Sequence, residues 1–177
     1  AGDVLITLDG RAISSVDESG TTLTSQLLAY CLDAGYVNNV AARFWLAPVH
    51  GIRLARLIVG EHGETSFRSD YARTDGLLDI HEFGYFWRHW LPLDAAPTHH
   101  LSDAELARVD AAGLREALEA EILGGFGTPV VFKNVICGFH ARFLTAVHGP
   151  SLFVHITRDP IATACSAWVA LAAVLAA

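Results

Sequence analysis

The run Leu152-Phe-Val-His-Ile-Thr157 is apolar except for one histidine and a closing threonine, and it stops at Arg158-Asp159-Pro160. A strand with apolar residues on both faces must be covered on both faces. Asp159 and Pro160 then supply a helix cap and a first-turn proline. The Ala-rich stretch 161–177 reads as a buried helix rather than a membrane span, because Thr163, Ser166 and Trp168 interrupt it. A buried strand delivered directly into a helix restricts the chain to layered α/β architectures.

The rest of the sequence repeats that alternation. Asp3–Leu8 and Ala12–Val16 are strand-like, with Asp9-Gly10 as a hairpin-type turn. Leu23, Leu27, Leu28, Cys31 and Leu32 recur at helical spacing, which predicts a helix over Gly20–Ala34 stopped by Gly35. A second helical region is expected over Val40–Val59, bent at Pro48 and Gly51. Residues 60–74 read as loop. Ser102-Asp-Ala-Glu105 is a capping box, with Leu101 and Leu106 as its staple, and opens a helix expected to end at Gly124-Gly125. Val130–Phe132 is a short buried strand, and Ile136–Val147 is helical. Strands alternating with helices point to a parallel sheet.

Composition narrows the function. Of 177 residues, 52% are hydrophobic and 18% charged, and the net charge is −7. Nucleic-acid binding needs clustered Lys and Arg and is disfavoured. A small anion bound by a few convergent basic residues remains compatible. Cys31, Cys137 and Cys165 are widely spaced and form no CxxC pair. They read as buried free thiols of a reducing, cytoplasmic compartment. His99-His100 reads as a loop pair, and no third ligand is spaced for a metal.

Two junctions have the composition of an anion site. Ser19-Gly20-Thr21-Thr22 follows the strand Ala12–Val16 and opens a helix, whose first N–H groups and dipole favour an anion. No Walker lysine is present. Arg158 stands at a strand tip, and Ser166 lies about two turns into the next helix. A guanidinium and a hydroxyl converging on one phosphate make chemical sense.

Ser19-Gly-Thr-Thr-Leu23, Val131-Phe-Lys-Asn134 and Leu152-Phe-Val-His-Ile-Thr-Arg-Asp-Pro160 together resemble the PAPS-dependent sulfotransferase family, over about Ile13 to Trp168. PAPS is 3′-phosphoadenosine 5′-phosphosulfate, and PAP is the product left after transfer. The resemblance implies a single α/β domain over residues 1–177: a three-layer sandwich with a mostly parallel central sheet and P-loop-like architecture. It implies that Ser19, Gly20, Thr21, Thr22 and Leu23 cradle the 5′-phosphosulfate, and that Arg158 and Ser166 hold the 3′-phosphate. Lys133 would face the transferring group. The expected activity is sulfo transfer to a hydroxyl or amine of a small-molecule or carbohydrate acceptor. His81 and Glu82 are the candidate general bases, because they open an aromatic segment, Asp79–Leu91, able to wall an acceptor pocket. His140 is a weaker candidate.

Three features depart from the family pattern. Asp17-Glu18 stands where a Pro and a basic residue usually precede the loop, so a carboxylate faces the anion unless Glu18 turns away and Arg11, Arg43 or Arg142 substitutes. The late basic loop that also grips the nucleotide is not visible, so the sequence reads as a fragment of the domain or as a chain whose Ala-rich end is an incomplete record. Gly2–Gly10 with Ile13–Val16 resembles the late part of a PDZ domain, and is read as a generic strand–turn–strand pattern. Two rival readings follow: a non-catalytic nucleotide- or anion-binding module, and a P-loop phosphotransferase.

Overall fold

The computed structural model describes residues 6–8, 11–13, 20–59, 76–93, 100–134, 137–149 and 151–154, with single positions at 156, 159, 161, 164, 165 and 168. At 6–8, 11–13, 20, 21, 23 and 59 the description covers the backbone alone. Ser19, Arg158 and Ser166 lie outside the described residues, as does the expected loop 60–74.

Strand β1 (Ile6–Leu8) pairs antiparallel with β2 (Arg11–Ile13), Leu8 opposite Arg11, so a two-residue connection joins them as the Asp-Gly dipeptide predicts. Helix α1 (Gly20–Cys31) starts at the expected glycine. Of its buried positions, Thr22, Ser25, Gln26 and Ala29 share one stripe, which carries three polar side chains, and Leu27 is buried beside it. The helix stops earlier than expected. Asp33 takes the left-handed conformation, φ 48°, and Gly35 opens the next strand instead. Asp tolerates that region better than most residues.

Strand β3 (Gly35–Tyr36) pairs in parallel with β4 (Val130–Val131). The fold is thus mixed: mostly helical around a small parallel pair. Val40–Val59 is not one bent helix. A 3₁₀ turn spans Ala41–Phe44, and Pro48 occupies the first position of α2 (Pro48–Val59), where its missing N–H costs nothing. Gly51 does not bend α2. A Cβ there would lie 2.6 Å from the Ala41 carbonyl oxygen, so glycine lets the helix close on the 3₁₀ turn.

The aromatic segment folds as α3 (Gly84–Trp90), with Phe83, Phe86 and Trp87 buried. The Phe83 and Phe86 rings stack at 4.7 Å, and Trp87 meets Phe86 edge-on at 5.2 Å. These rings, Ile52, Leu91, Leu101, Leu114 and Ile122 form the centre of the core. The expected acceptor wall is therefore largely core, although Tyr85 is exposed.

The capping box forms as read. The Glu105 N–H reaches Ser102 Oγ, and the Ser102 N–H donates to the Glu105 carboxylate at 2.8 Å. These bonds from Ser102 hold the Glu105 carboxyl below its usual pKa range. Leu101 and Leu106 both pack on the core. The helix they open is short, α4 (Asp103–Leu106). Asp110 then caps a new helix by accepting the Gly113 N–H at 2.9 Å. That helix is α5 (Ala111–Glu116), continued by a π-helical segment (Ala117–Leu123) and α6 (Gly124–Phe126). Its end is Gly127, φ 71°, not Gly124-Gly125, because only Gly127 adopts the left-handed stop. A 3₁₀ turn (Cys137–His140) leads into α7 (Ala141–His148).

Three burial expectations need correction. Leu152, Phe153 and Val154 form no described ladder and are exposed, Leu152 at 91%. An apolar run becomes a buried strand only where a neighbour offers a free edge, and none is paired with it here. Ile161 and Trp168 are likewise exposed, against the buried final helix expected. Cys31 and Cys165 are exposed free thiols, and only Cys137 is buried. Burial pushes the Cys137 thiol pKa far up. Among the described residues no helix is long and apolar enough to cross a membrane.

Candidate active site at the carboxyl ends of the parallel strands

Helix α1 packs against β4, and only residues 32–34 separate α1 from β3. β4 runs parallel to β3, so the carboxyl ends of the two strands lie at the same edge of the pair. Ligands of open α/β sheets bind in this region.

Each strand end delivers one half of a site. The backbone after β3 is bridged to the segment before α3: Asn38 pairs antiparallel with Ile80, and the His81 N–H donates to the Val37 carbonyl at 2.8 Å. This fixes His81 and Glu82 beside β3. The chain after β4 delivers Lys133 and Asn134. The Lys133 ammonium lies 2.8 Å from Glu82 Oε1; the lysine side chain is 3% exposed and that of Glu82 43%. The Asn134 amide donates to the Glu82 carbonyl at 3.0 Å, and its Oδ1 accepts the Cys137 N–H at 3.0 Å. Asn134 thus ties the two halves together.

Phe83 fixes the direction of the acidic half. It adopts the left-handed conformation, φ 56°, while fully buried. A non-glycine residue there costs about 1–3 kcal/mol and tends to mark functional segments. Its N–H donates to His81 Nδ1 at 2.8 Å. Neutral histidine has one donor and one acceptor nitrogen. With Nδ1 accepting, Nε2 carries the hydrogen, so His81 presents a donor rather than a base. Burial, chiefly, lowers its pKa; the Lys133 charge acts in the same direction and Glu82 opposes it. The Glu82 carboxylate has a second oxygen besides the one facing Lys133.

The three catalytic candidates from the sequence, Lys133, His81 and Glu82, are thereby brought together. Of the nucleotide-binding candidates, Gly20, Thr21, Thr22 and Leu23 form the first turn of α1, with Thr22 fully buried. Ser25 Oγ donates to the Thr22 carbonyl at 2.9 Å. His140 is buried beside the exposed ring of His100, centroids 5.9 Å apart, and as the residue before α7 it makes no side-chain cap bond to that helix. Among the described residues no three His, Cys, Asp or Glu side chains are grouped to hold a metal. Asn134 and Phe83 were not foreseen as site residues. Asn directly after the lysine was the only local hint, and nothing in the sequence signals the left-handed Phe83.

No family model, no curated protein and no solved structure matches the chain. The functional reading rests on the site itself.

The lowered His81 pKa has a measurable sign. The unfolded chain binds a proton near pH 6.5 that the folded chain resists, so folding stability declines as pH falls through that value. Urea denaturation from about pH 7.5 to about pH 5 should show this loss, and His81→Gln should remove part of the slope. An unchanged slope in the variant would contradict the assignment.

Proposed function

We propose that the chain is a PAPS-dependent sulfotransferase acting on a hydroxyl or amine of a small-molecule or carbohydrate acceptor, in a cytoplasmic setting. One observation carries this reading: a buried ammonium, Lys133, in contact with a carboxylate, Glu82, where the chain leaves β4. The donor set suits an anionic donor. Lys133 supplies a cation, His81 Nε2 an N–H, and α1 its first backbone N–H groups. Ser19, Leu23, Arg158 and Ser166 complete the proposed nucleotide contacts.

PAPS, when bound, supplies a sulfur centre open to displacement and PAP as leaving group. Glu82 takes the proton from the acceptor as its oxygen or nitrogen bonds to sulfur. Lys133 leaves Glu82 and stabilises the negative charge that the breaking sulfur–oxygen bond places on the departing phosphate oxygen. His81 donates to a sulfo oxygen and stays neutral. Buried surroundings strengthen each interaction. The finer architecture, a three-layer P-loop-like sandwich with the β3–β4 pair inside a wider sheet, belongs to this proposal.

A second reading is favoured by the same contact. Glu82 already neutralises Lys133, as suits a module that binds an anion without turning it over. Titration calorimetry with PAP separates the readings. Saturable binding, weakened about tenfold or more by Arg158→Ala, and sulfo transfer from PAPS are expected. Binding without transfer to any acceptor favours the module, preference for ATP over PAP favours a phosphotransferase, and absence of PAP binding overturns the proposal.

A further inference from the structure

A cavity of about 210 Å³ runs along β3, from the Asp33 turn to Asn38, and Lys133 is not among its lining residues. Ile52, Ala55, Leu78 and Phe126 give it apolar walls. Two opposite charges line it: Asp33, in the turn after α1, and Arg56, on α2. The Arg56 Nη2 donates to the Phe126 carbonyl at 2.6 Å, which pins the guanidinium to the wall. Its remaining N–H groups are available. Among the described residues neither Arg56 nor Asp33 makes an ion pair. Tyr36 and Asn38 add neutral polar groups to the lining. Burial, then the Asp79 charge, push the Tyr36 hydroxyl above its ordinary pKa, so it stays a donor. The Asn38 oxygen is used on the Ala41 N–H at 2.9 Å.

Asp33 and Arg56 are both exposed to solvent, so the cavity carries one accessible charge of each sign beside apolar walls, which suits a ligand that carries both. We propose that this cavity binds a zwitterionic α-amino acid with an apolar side chain, its carboxylate on Arg56, its ammonium on Asp33 and its side chain against Ile52, Ala55 and Leu78. The volume is below the roughly 300–1,000 Å³ of sites for drug-sized ligands, so this is not the nucleotide site. The inference stands whether or not the chain transfers sulfo groups.

Titration calorimetry on the full chain tests it with L-leucine, isovalerate (the carboxylate alone) and isopentylamine (the amine alone). L-leucine should bind at one site, and each single-charge probe about tenfold or more weaker. Asp33→Asn should weaken L-leucine about tenfold without changing isovalerate, and Arg56→Gln should weaken both. No L-leucine binding at millimolar concentration, by protein shown folded by circular dichroism, overturns the proposal. So does isovalerate binding as tightly as L-leucine, or L-leucine binding that neither variant affects.

Discussion

Lys133→Met is expected to cut sulfo transfer by roughly a hundred- to thousandfold while leaving PAP affinity nearly unchanged. The ammonium sits at the end of β4 with its side chain 3% exposed, where water screens it little. Such a charge matters most when the leaving oxygen becomes negative, and less when the ground state binds. Methionine keeps the bulk and removes the charge. Single-turnover rates and PAP calorimetry, run side by side, give the two quantities. Equal loss in both would contradict a transition-state role. Glu82→Gln should act differently, lowering turnover by roughly a hundred- to ten-thousandfold through loss of the base. Unchanged turnover in that variant would remove Glu82 from the mechanism.

The second large effect lies in the core. Phe86→Ala should destabilise the fold by about 3–5 kcal/mol, from lost burial and the cavity left behind. Phe86 is 1% exposed and lies between the stacked Phe83 and the edge-on Trp87. Urea denaturation reads the change as a shift in midpoint. A loss below about 1 kcal/mol would show that neighbouring side chains fill the space, contrary to the packing described.

Local signals were legible wherever a few adjacent residues decide the outcome. The two-residue spacing between β1 and β2, the start of α1 and the capping box at Ser102 all depend on short-range sterics and hydrogen bonds. What failed depends on distant partners. The break between α4 and α5 arises because Asp110 offers a second cap that competes with continuation. Leu152–Val154 has strand composition, yet pairing requires a free edge elsewhere. The site shows both sides. Lys133 was singled out by its place after a strand, but its meeting with Glu82 is a tertiary event. Asn134, 52 residues from Glu82, makes the bond that holds the two segments together. The sequence placed His81 and Glu82 on equal footing, and the Phe83 N–H bond to Nδ1 separates their roles.

The left-handed turn at Phe83 has a practical consequence for anyone mutating this chain. One residue inserts its ring into the central stack and also binds His81 Nδ1 through its N–H, next to Glu82. A substitution deep in the interior will therefore disturb His81 and Glu82 as well, and the proposed sulfo transfer should fall before the molecule comes apart.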